Sequence, residues 1–352
     1  MLFPNFQLNM IGMKPTIKTV AEKANVSTAA VSIALNNKPG VSEETRNRIM
    51  ETAKQLGYEP QIRSDNSTDT TIRFLKISRH GHTINKSHNF FIDAYVDGIT
   101  LAARQSGAVL EFETYQAEVP LSEIITKIKE SPQISGYLIL GTELSLQDID
   151  TFIQTGKNIV FMDTFLDYIA ADFVDMNNTD AVYKIIKHFI QNGHLEIGLI
   201  KSSVQTRNFF LREKAFYQVM NDLEIPILDD YIFDVDSTFD GAYSDLLSIL
   251  QNRKNMPTAL FAINDIIALG SLRALQESGF NIPVQISITG FDNLPMNEMV
   301  VPQLTSIDVS KNEIGQTAME MLVMKIQRKQ PHPPRKTLIG GKLIIRDSVR
   351  KV

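Results

Sequence analysis

Short apolar runs alternate with amphipathic segments over most of this chain. Seven runs have the length and composition of buried strands: 72–77, 109–113, 137–140, 159–162, 197–200, 259–263 and 286–289. Helical patterns lie between them, at 91–105, 122–129, 180–191, 210–223 and 266–277. Such alternation favours an α/β architecture of doubly wound parallel sheets. The 352 residues accommodate two such sheets, and a cleft between them is the expected ligand site.

Composition excludes several classes of protein. Hydrophobic residues make up 43% of the chain and charged residues 21%, as in ordinary globular proteins. There are 0 cysteines, which rules out a disulfide framework, a thiolate metal site and a cysteine nucleophile and fits a cytoplasmic location. No apolar run approaches the roughly 18 residues of a membrane helix. The first 12 residues lack a basic n-region, so we expect an extension ahead of a start at Met13 rather than a signal peptide.

Residues 16–58 predict three short helices. Thr16, Ser27 and Ser42 are suitable N-caps for helices over 17–24, 28–36 and from 43, the last ending at Gly57. Asn25 and Val26 form the turn between the first two helices. Apolar residues at helical spacing can form one small core: Val20, Ala24, Val31, Leu35, Ile49, Ala53 and Leu56.

The second predicted helix presents small and polar side chains where a structural helix would be apolar. A helix-turn-helix places its second helix in the major groove of DNA. Candidate contacts with bases come from this helix: Ser27, Thr28, Ala29, Ser32, Ile33 and Asn36. Thr16, Ser42 and Thr45 stand at helix starts, where hydroxyl and backbone N–H groups can bind phosphates.

Charge is also unevenly distributed. Residues 13–63 carry eight Lys or Arg against five Glu, a net +3, so a total of −5 leaves −8 on the remainder. A basic end on an acidic body is typical of a protein with one region that touches a polyanion. A three-helix packing module without nucleic acid is the plainer explanation, and helix spacing alone leaves it open.

A sequence pattern then resembles the DNA-binding domain of the LacI/GalR family of bacterial regulators. It is VA-x-x-A-x-VS-x-x-x-VS-x-x-LN, then VS-x-x-T-R-x-x-I and LGY-x-P, unbroken from Val20 to Pro60 and including Tyr58 as a further DNA contact. Landmarks of the family's core follow in order: Phe90-Phe91, VFMD ending at Asp163, Arg212 to Phe216, FAINDIIALG at 261–270, SITGFDN at 287–293, LTSID at 304–308 and IGQTAMEML at 314–322.

The resemblance implies a helix-turn-helix head at 13–60, a hinge at 61–71 and a two-lobed core at 72–352, similar to periplasmic binding proteins. Lobe one would take about 72–174 and 309–337, and lobe two about 175–308 and 338–352. Effector contacts carried over by position are Phe90, Phe91, Asp163, Arg212, Asn264 and Asp292. The carboxylates would accept hydrogen bonds from sugar hydroxyls, and Arg212 would donate two parallel hydrogen bonds to the effector. The phenylalanine rings would stack on the apolar face of the sugar ring.

Each effector contact has a plainer alternative. The phenylalanines could be core residues, Arg212 could be a surface charge, and Asp265 is expected to cap a helix that begins at Ile266. Two positions depart from the family pattern, Asp236 and Val309. Arg79, His80, His82 and His88 crowd the segment after the first strand. A metal is disfavoured there because no acidic or thiolate ligand lies nearby in sequence. These residues are expected to line the mouth of the cleft or to face solvent, and a cationic cluster with Arg79 would favour a phosphorylated or acidic effector.

The linker 61–71, QIRSDNSTDTT, departs most from the family. In the family, a leucine of this segment inserts into the minor groove and kinks the operator. Ser67 stands at about that position here, and Ile62 is the only apolar residue of the linker that could replace it. We therefore expect weaker insertion and less bending of the operator.

The prediction is a cytoplasmic homodimeric transcription factor, expected to be a repressor. It would bind a palindromic double-stranded DNA operator and a sugar-like effector, with no membrane, cofactor or metal. A ligand-binding protein without a DNA role is the alternative. An enzyme is not expected, because no G-x-G-x-x-G, P-loop or G-x-S-x-G motif is present.

Overall fold

A computed structural model describes residues 16–35, 40–56, 58, 70–80, 89–251, 253, 255–328, 330 and 332–352. They belong to two compact units that divide after residue 68. The first unit is called the head and the second the core. Several predicted features lie outside the described residues: the start at Met13, Asn36, Gly57, His82, His88 and the linker segment 61–69 with Ile62 and Ser67.

The head contains three helices whose starts match the predicted caps. They are α1 Ile17–Ala24, α2 Thr28–Leu35 and α3 Glu43–Gln55. The Oγ1 atom of Thr16 accepts from the Thr19 N–H at 3.3 Å, and the Thr19 side chain bonds back to the cap. The hydroxyls of Ser27 and Ser42 accept from the third residue of their helices at 3.1 and 3.3 Å. All three predicted caps are therefore confirmed.

A small apolar core holds the head together. Val20, Val31 and Ile49 are fully buried, one from each helix. Asn25 adopts a φ of 54° and closes the turn after α1. The Arg46 guanidinium donates to the Ala34 carbonyl at 2.9 Å, which ties the end of α2 to α3. This packing fixes the orientation of α2 within the head.

The core alternates strands and helices. Its elements are β1 Thr71–Ile77, α4 Asn89–Ser106, β2 Val109–Tyr115, α5 Leu121–Lys129, β3 Ile134–Leu140, α6 Leu146–Ile153, β4 Ile159–Met162, β5 Asp172–Met176, α7 Asn178–Gln191, β6 Ile197–Ser202, α8 Arg207–Asp222, β7 Ile232–Val235, α9 Phe239–Leu250, β8 Ala259–Ala262, α10 Asp265–Glu277, β9 Ser287–Thr289, β10 Ser306–Asp308, α11 Lys311–Gln327, β11 Lys336–Ile339 and β12 Lys342–Ile344.

Two parallel sheets define two lobes. The first lobe has the strand order β11-β5-β4-β3-β1-β2, and the second has β7-β6-β8-β9. A short antiparallel pair joins β10 to β12. The predicted fold class is confirmed. The expected change of lobe at 337/338 is wrong in detail, because β11 pairs with β5 along its whole length and the chain leaves the first sheet after Ile339.

Helices α4 and α11 pack closely on the first lobe because two glycines permit it. A Cβ atom added at Gly98 would lie 2.1 Å from the Asn312 carbonyl oxygen, and one at Gly315 would lie 2.3 Å from that of Tyr95. Tyr95 is thereby brought into the interior, with its hydroxyl beneath the cleft.

Some strands escape sequence analysis for a physical reason. β5, DFVDM, is buried at every position although Asp172 and Asp175 interrupt its apolar pattern. Lys325 and the Arg335 N–H bond Asp172 at 2.7 Å each, so its burial is compensated by distant partners. Helix α8 also begins three residues before the predicted start. Among the described helices, none is both long and apolar enough to span a membrane.

Candidate functional site

Helix α2 of the head, together with its N-cap Ser27, carries five of the ten predicted DNA contacts. Ser27 and Thr28 are exposed and Ile33 is half-buried. Ala29 and Ser32 lie on the same helix, although their side chains are outside the described structure. Thr16 and Ser42 are exposed at the starts of α1 and α3, and Thr45 is half-buried beside Ser42. Tyr58 differs from the rest, because it packs against the head core.

A cleft in the core lies where strands of both lobes end. It encloses about 420 Å³ between protein atoms, part of it open to solvent. Its lining residues come from α4 and the segments after β3 and β4 in the first lobe, and from the start of α8 and the segments after β8 and β9 in the second: Phe91, Ile92, Thr142, Asp163, Thr206, Asn208, Phe209, Arg212, Asn264 and Asp292. Five of the six predicted effector residues therefore meet there. Phe90 does not line the cleft and is 57% exposed.

Asp163 forms the first-lobe wall of the cleft. It follows β4 with a φ of 56°, a left-handed conformation that is strained for a non-glycine residue. Its carboxylate accepts from the Tyr95 hydroxyl at 2.9 Å, from Asn208 at 3.0 Å and from the Thr142 hydroxyl. Burial raises the pKa of Asp163, and these donors together with Arg212 oppose that rise.

Asp175, at the end of β5, is a second carboxylate behind this wall. It is fully buried and accepts from the Met176 N–H at 2.8 Å and from Asn208 at 3.2 Å. Its Oδ2 atom has no hydrogen-bond partner within the described part of the chain. Burial raises the pKa of Asp175 well above its ordinary value, and the charge of Asp163 raises it further.

Arg212 is the cation at the base of the cleft. It is 3% exposed, and its guanidinium lies 3.7 Å from the centre of the Phe291 ring. Its nitrogens donate to Asn178 at 3.1 Å, to the Ile263 carbonyl at 2.9 Å and to the Met176 sulfur at 2.9 Å. The surface-charge alternative is thus wrong. Three of the five N–H groups of the guanidinium are thus used by protein acceptors, and the expected donation to the ligand stays a prediction for the others.

Asp292 and Asn264 form the second-lobe wall. Asp292 follows β9 with a φ of 111°, and its Oδ1 atom lies 3.3 Å from Arg212 Nη2. Burial raises the pKa of Asp292 to about 6, although Arg212 and Lys311 oppose the rise. Asn264 is fully buried and caps α10, accepting from the Ile267 N–H at 2.9 Å. Its amide nitrogen has no hydrogen-bond partner among the described residues.

Asp265 does not cap α10, contrary to expectation, because Asn264 already does. Asp265 is the first residue of the helix and holds the loop that carries Asp292. Its carboxylate accepts from the Leu294 N–H at 2.7 Å, from Asn297 at 2.8 Å and from Ser306 at 2.6 Å. Burial raises its pKa to about 7, with a smaller contribution from Asp292. Asp265 therefore supports the cleft from behind.

The other lining residues were not among the predicted contacts: Ile92, Thr142, Thr206, Asn208 and Phe209. Two of them carried a signal in the sequence. Thr142 lies just past the end of β3, and Asn208 precedes Arg212 by one helical turn and shares its face. Of the two departures from the family pattern, Val309 is buried in the core, and Asp236 caps its own turn by accepting from the Thr238 N–H at 2.7 Å.

The described part of the expected cationic cluster is neutralised. Glu143 accepts from the backbone N–H groups of Arg79 and His80 at 2.7 and 2.6 Å. The Arg79 guanidinium lies 3.8 Å from Asp148, and the His80 ring lies 3.5 Å from Glu143. These acidic partners come from a distant segment, which sequence proximity could not show. The described residues contain no group of three side chains able to hold a metal ion.

Direct hydrogen bonds join the two lobes at the cleft. Asn208, on α8, donates to the Asp163 carboxylate at 3.0 Å and to its carbonyl oxygen at 3.2 Å. The neighbouring Arg207 donates to the Phe165 carbonyl at 2.8 Å. The cleft is therefore bridged by side chains of the protein itself.

Comparisons with known proteins match both units. Residues 16–61 match the family described as bacterial regulatory proteins, lacI family, and residues 186–349 match a periplasmic binding protein-like domain. The HTH-type transcriptional repressor PurR of Aliivibrio salmonicida is 29% identical over 341 residues, covering 96% of this chain and 99% of that protein. PurR of Vibrio parahaemolyticus is 28% identical over 342 residues, covering 96% of this chain and 99% of that protein.

Solved structures share the fold. A lac repressor dimer bound to operator and the anti-inducer ONPF has a TM-score of 0.71 at 21% identity, covering 96% of this chain and 100% of that chain. A complex of the transcriptional regulator CelR with cellobiose has a TM-score of 0.70 at 22% identity, covering 95% of this chain and 99% of that chain.

The curated relatives reported above are repressors, and each aligns with head and core together. A helix-turn-helix head on a two-lobed core, in that order, is thus common to this chain and to them. The chain belongs to the LacI/GalR family of bacterial transcriptional regulators.

Proposed function

We propose that the protein is a cytoplasmic, homodimeric repressor that binds a palindromic operator and responds to a small polar effector in the cleft. One observation carries this proposal: a head whose second helix begins with the exposed hydroxyl residues Ser27 and Thr28 and a cleft lined from both lobes occur in the same chain. The ten predicted DNA contacts and the five cleft residues Phe91, Asp163, Arg212, Asn264 and Asp292 are the proposed sites, and Phe90 is no longer among them. The proposed domain boundaries place the DNA-binding head at residues 13–60, the hinge at 61–71 and the effector-binding core at 72–352.

The bridged cleft supports a mechanism for the response. Asn208 and Arg207 hold the lobes together through Asp163 and Phe165. An effector that contacts both walls adds to these bonds and favours one arrangement of the lobes. A ligand can shift such an equilibrium only by its differential affinity for the two arrangements. Operator affinity would change because the paired heads require a defined spacing on DNA.

The effector is proposed to be a sugar or a sugar derivative. Asp163 and Asp292 line the two walls of the cleft with carboxylates, and Phe91 and Phe209 line it with apolar surface. Sugar hydroxyls suit such carboxylates, and the ring faces of sugars suit aromatic side chains. Structural neighbours include complexes with cellobiose and with ribose.

Exposed apolar residues support the homodimer. Met299 and Val301, in the segment after β9, are 80% and 84% exposed. Large apolar side chains so exposed, in a segment that Asn297 and Gln276 fix in place, are typical of a protein–protein contact. A second copy of the chain is the proposed partner, since a lac repressor of the same fold was solved as a dimer.

Val301→Asp should therefore shift the protein from dimer to monomer, because a buried charge without a partner destabilises an interface. Sedimentation velocity at micromolar concentration measures the shift. Leu195→Asp is a matched control, since Leu195 is also apolar and 57% exposed but precedes β6. An unchanged dimer in the Val301 variant would remove this segment from the interface.

An electrophoretic mobility shift on DNA upstream of the protein's own gene tests the proposed function. We expect a specific complex at low salt that weakens steeply as salt rises, because lysine and arginine displace condensed counterions. An effector should change the affinity of that complex. Absence of a specific complex at low salt would favour the alternative, a ligand-binding protein without a regulatory role.

A further inference from the structure

Two carboxylates of the first lobe share one amide of the second. Asn208 Nδ2 lies 3.0 Å from Asp163 Oδ1 and 3.2 Å from Asp175 Oδ1, so these two oxygens are at most about 6 Å apart. Both carboxylates are more than nine-tenths buried. Buried like charges at such a distance oppose each other's ionisation, because a single amide cannot replace the water that would screen them. The pair is therefore expected to keep a proton at pH values where isolated carboxyl groups have lost theirs.

The hydrogen bonds indicate which carboxylate carries this proton. Asp163 accepts from the hydroxyls of Tyr95 and Thr142 as well as from Asn208, and three donors stabilise its charged form. Burial raises the pKa of Tyr95 well above its ordinary value, so its hydroxyl remains a donor. Asp175 accepts from Asn208 and from one backbone N–H, and its Oδ2 atom has no partner within the described ranges. An ionised Asp175 would leave a charged oxygen buried without a hydrogen bond.

The described cations on the elements around Asp175 are bound to other carboxylates. Arg212, on α8, lies 3.3 Å from Asp292, and Lys325, on α11, lies 2.7 Å from the other aspartate of β5. Burial raises the pKa of Asp175 well above its ordinary value, the charge of Asp163 raises it further, and Arg212 opposes the rise only in part. The charges around Asp175 thus agree with its hydrogen bonds in favouring the neutral acid.

We infer that Asp175 is held as a neutral carboxylic acid while Asn208 bridges the lobes, and that loss of its proton to solvent favours their separation, which makes the core sensitive to pH. Separation removes the Asn208 amide and admits water, which can hydrate the Oδ2 atom of an ionised Asp175. The bridged arrangement therefore binds the proton more tightly, and its advantage is lost as pH rises. This inference rests on the proposed function, because the response to an effector uses the same two arrangements of the lobes.

Urea unfolding of the full-length chain tests the proton on Asp175. Asp175→Asn has the shape of the neutral acid but cannot ionise. A carboxyl with a raised pKa in the folded state loses its stabilising effect as pH rises from the unfolded pKa of about 4 to the folded pKa. We therefore expect the ratio of the wild-type to the variant unfolding constant to grow at least about 10-fold from pH 5 to pH 8. A constant ratio, or a variant that does not fold at pH 5, would overturn the inference.

Asp172→Asn is the matched control, three residues earlier in the same buried strand. Lys325 neutralises Asp172 at 2.7 Å, so this variant should be less stable than the wild type by the same factor at both pH values. An equal growth of the ratio in the two variants would mean that the effect does not belong to Asp175.

Hydrogen exchange followed by mass spectrometry tests the link to the lobes. Segment 206–212 contains Asn208, and its protection is compared after correction for the intrinsic pH dependence of exchange. Protection in the wild type should fall at least about threefold from pH 6 to pH 9, and Asp175→Asn should abolish this change. Protection that does not fall, or that falls equally in both proteins, would overturn the link. No DNA is present, so absence of a specific operator complex would reject the proposed function without altering either result.

Discussion

Replacing Thr28 by glutamate should lower operator affinity by about 10- to 100-fold, the effect of losing one or two contacts with bases or phosphates. Thr28 is the first residue of α2 and is exposed. A carboxylate there would face the phosphates of the major groove. The same charge favours the N-terminus of a helix, so the head should remain folded. Fluorescence anisotropy with operator DNA at fixed salt gives the affinity.

Gln55→Glu is the matched control for this prediction. It also adds one negative charge at an exposed position of the head, but at the end of α3. We expect it to weaken binding less than about threefold, through long-range repulsion alone. Equal losses in the two variants would mean that net charge, and not contact by α2, governs binding.

Arg212→Met should lower the free energy of unfolding by about 3–5 kcal/mol, the usual effect of removing one partner of a buried ion pair. Methionine retains most of the apolar volume, but Asp292 loses its counter-charge and Asn178 and the Ile263 carbonyl lose a donor. Arg207→Met on the same helix is the control. Arg207 is half-buried, donates to the Phe165 carbonyl and lies over the exposed Phe210 ring, so we expect a loss of about 1 kcal/mol. Urea denaturation at pH 8 measures both.

The loss in the Arg212 variant should shrink at lower pH. Burial raises the pKa of Asp292 to about 6 and also raises those of Asp163 and Asp175. A carboxylate with a raised pKa in the folded state stabilises the fold below its unfolded pKa of about 4, and this contribution disappears as pH rises through the folded pKa. Without Arg212 the folded pKa values rise further, so the deficit should be smaller at pH 5 than at pH 8. A deficit that does not change with pH would contradict this account.

Asn264 and Asp265 show how far sequence analysis could go. Their position at the start of a helix was predictable from local pattern, and so was the presence of a cap. The choice of Asn264 over Asp265 as the N-cap depends on distant residues. Leu294, Asn297 and Ser306, about 30 to 40 residues away in the chain, donate hydrogen bonds to the Asp265 carboxylate. Either residue has a side chain able to cap a helix, so local propensity could not separate them.

The sequence by itself determined the family, the helix-turn-helix caps and the alternation of strands and helices, because these depend on residues close together in the chain. The family resemblance also predicted that Asp163 and Asp292 line the cleft, as they do. The tertiary structure alone decided that Arg212 is buried and bonded to protein acceptors, and that Arg79 and His80 lie beside acidic partners. Burial and hydrogen-bond saturation depend on segments that are distant in sequence and become neighbours only when the sheets assemble.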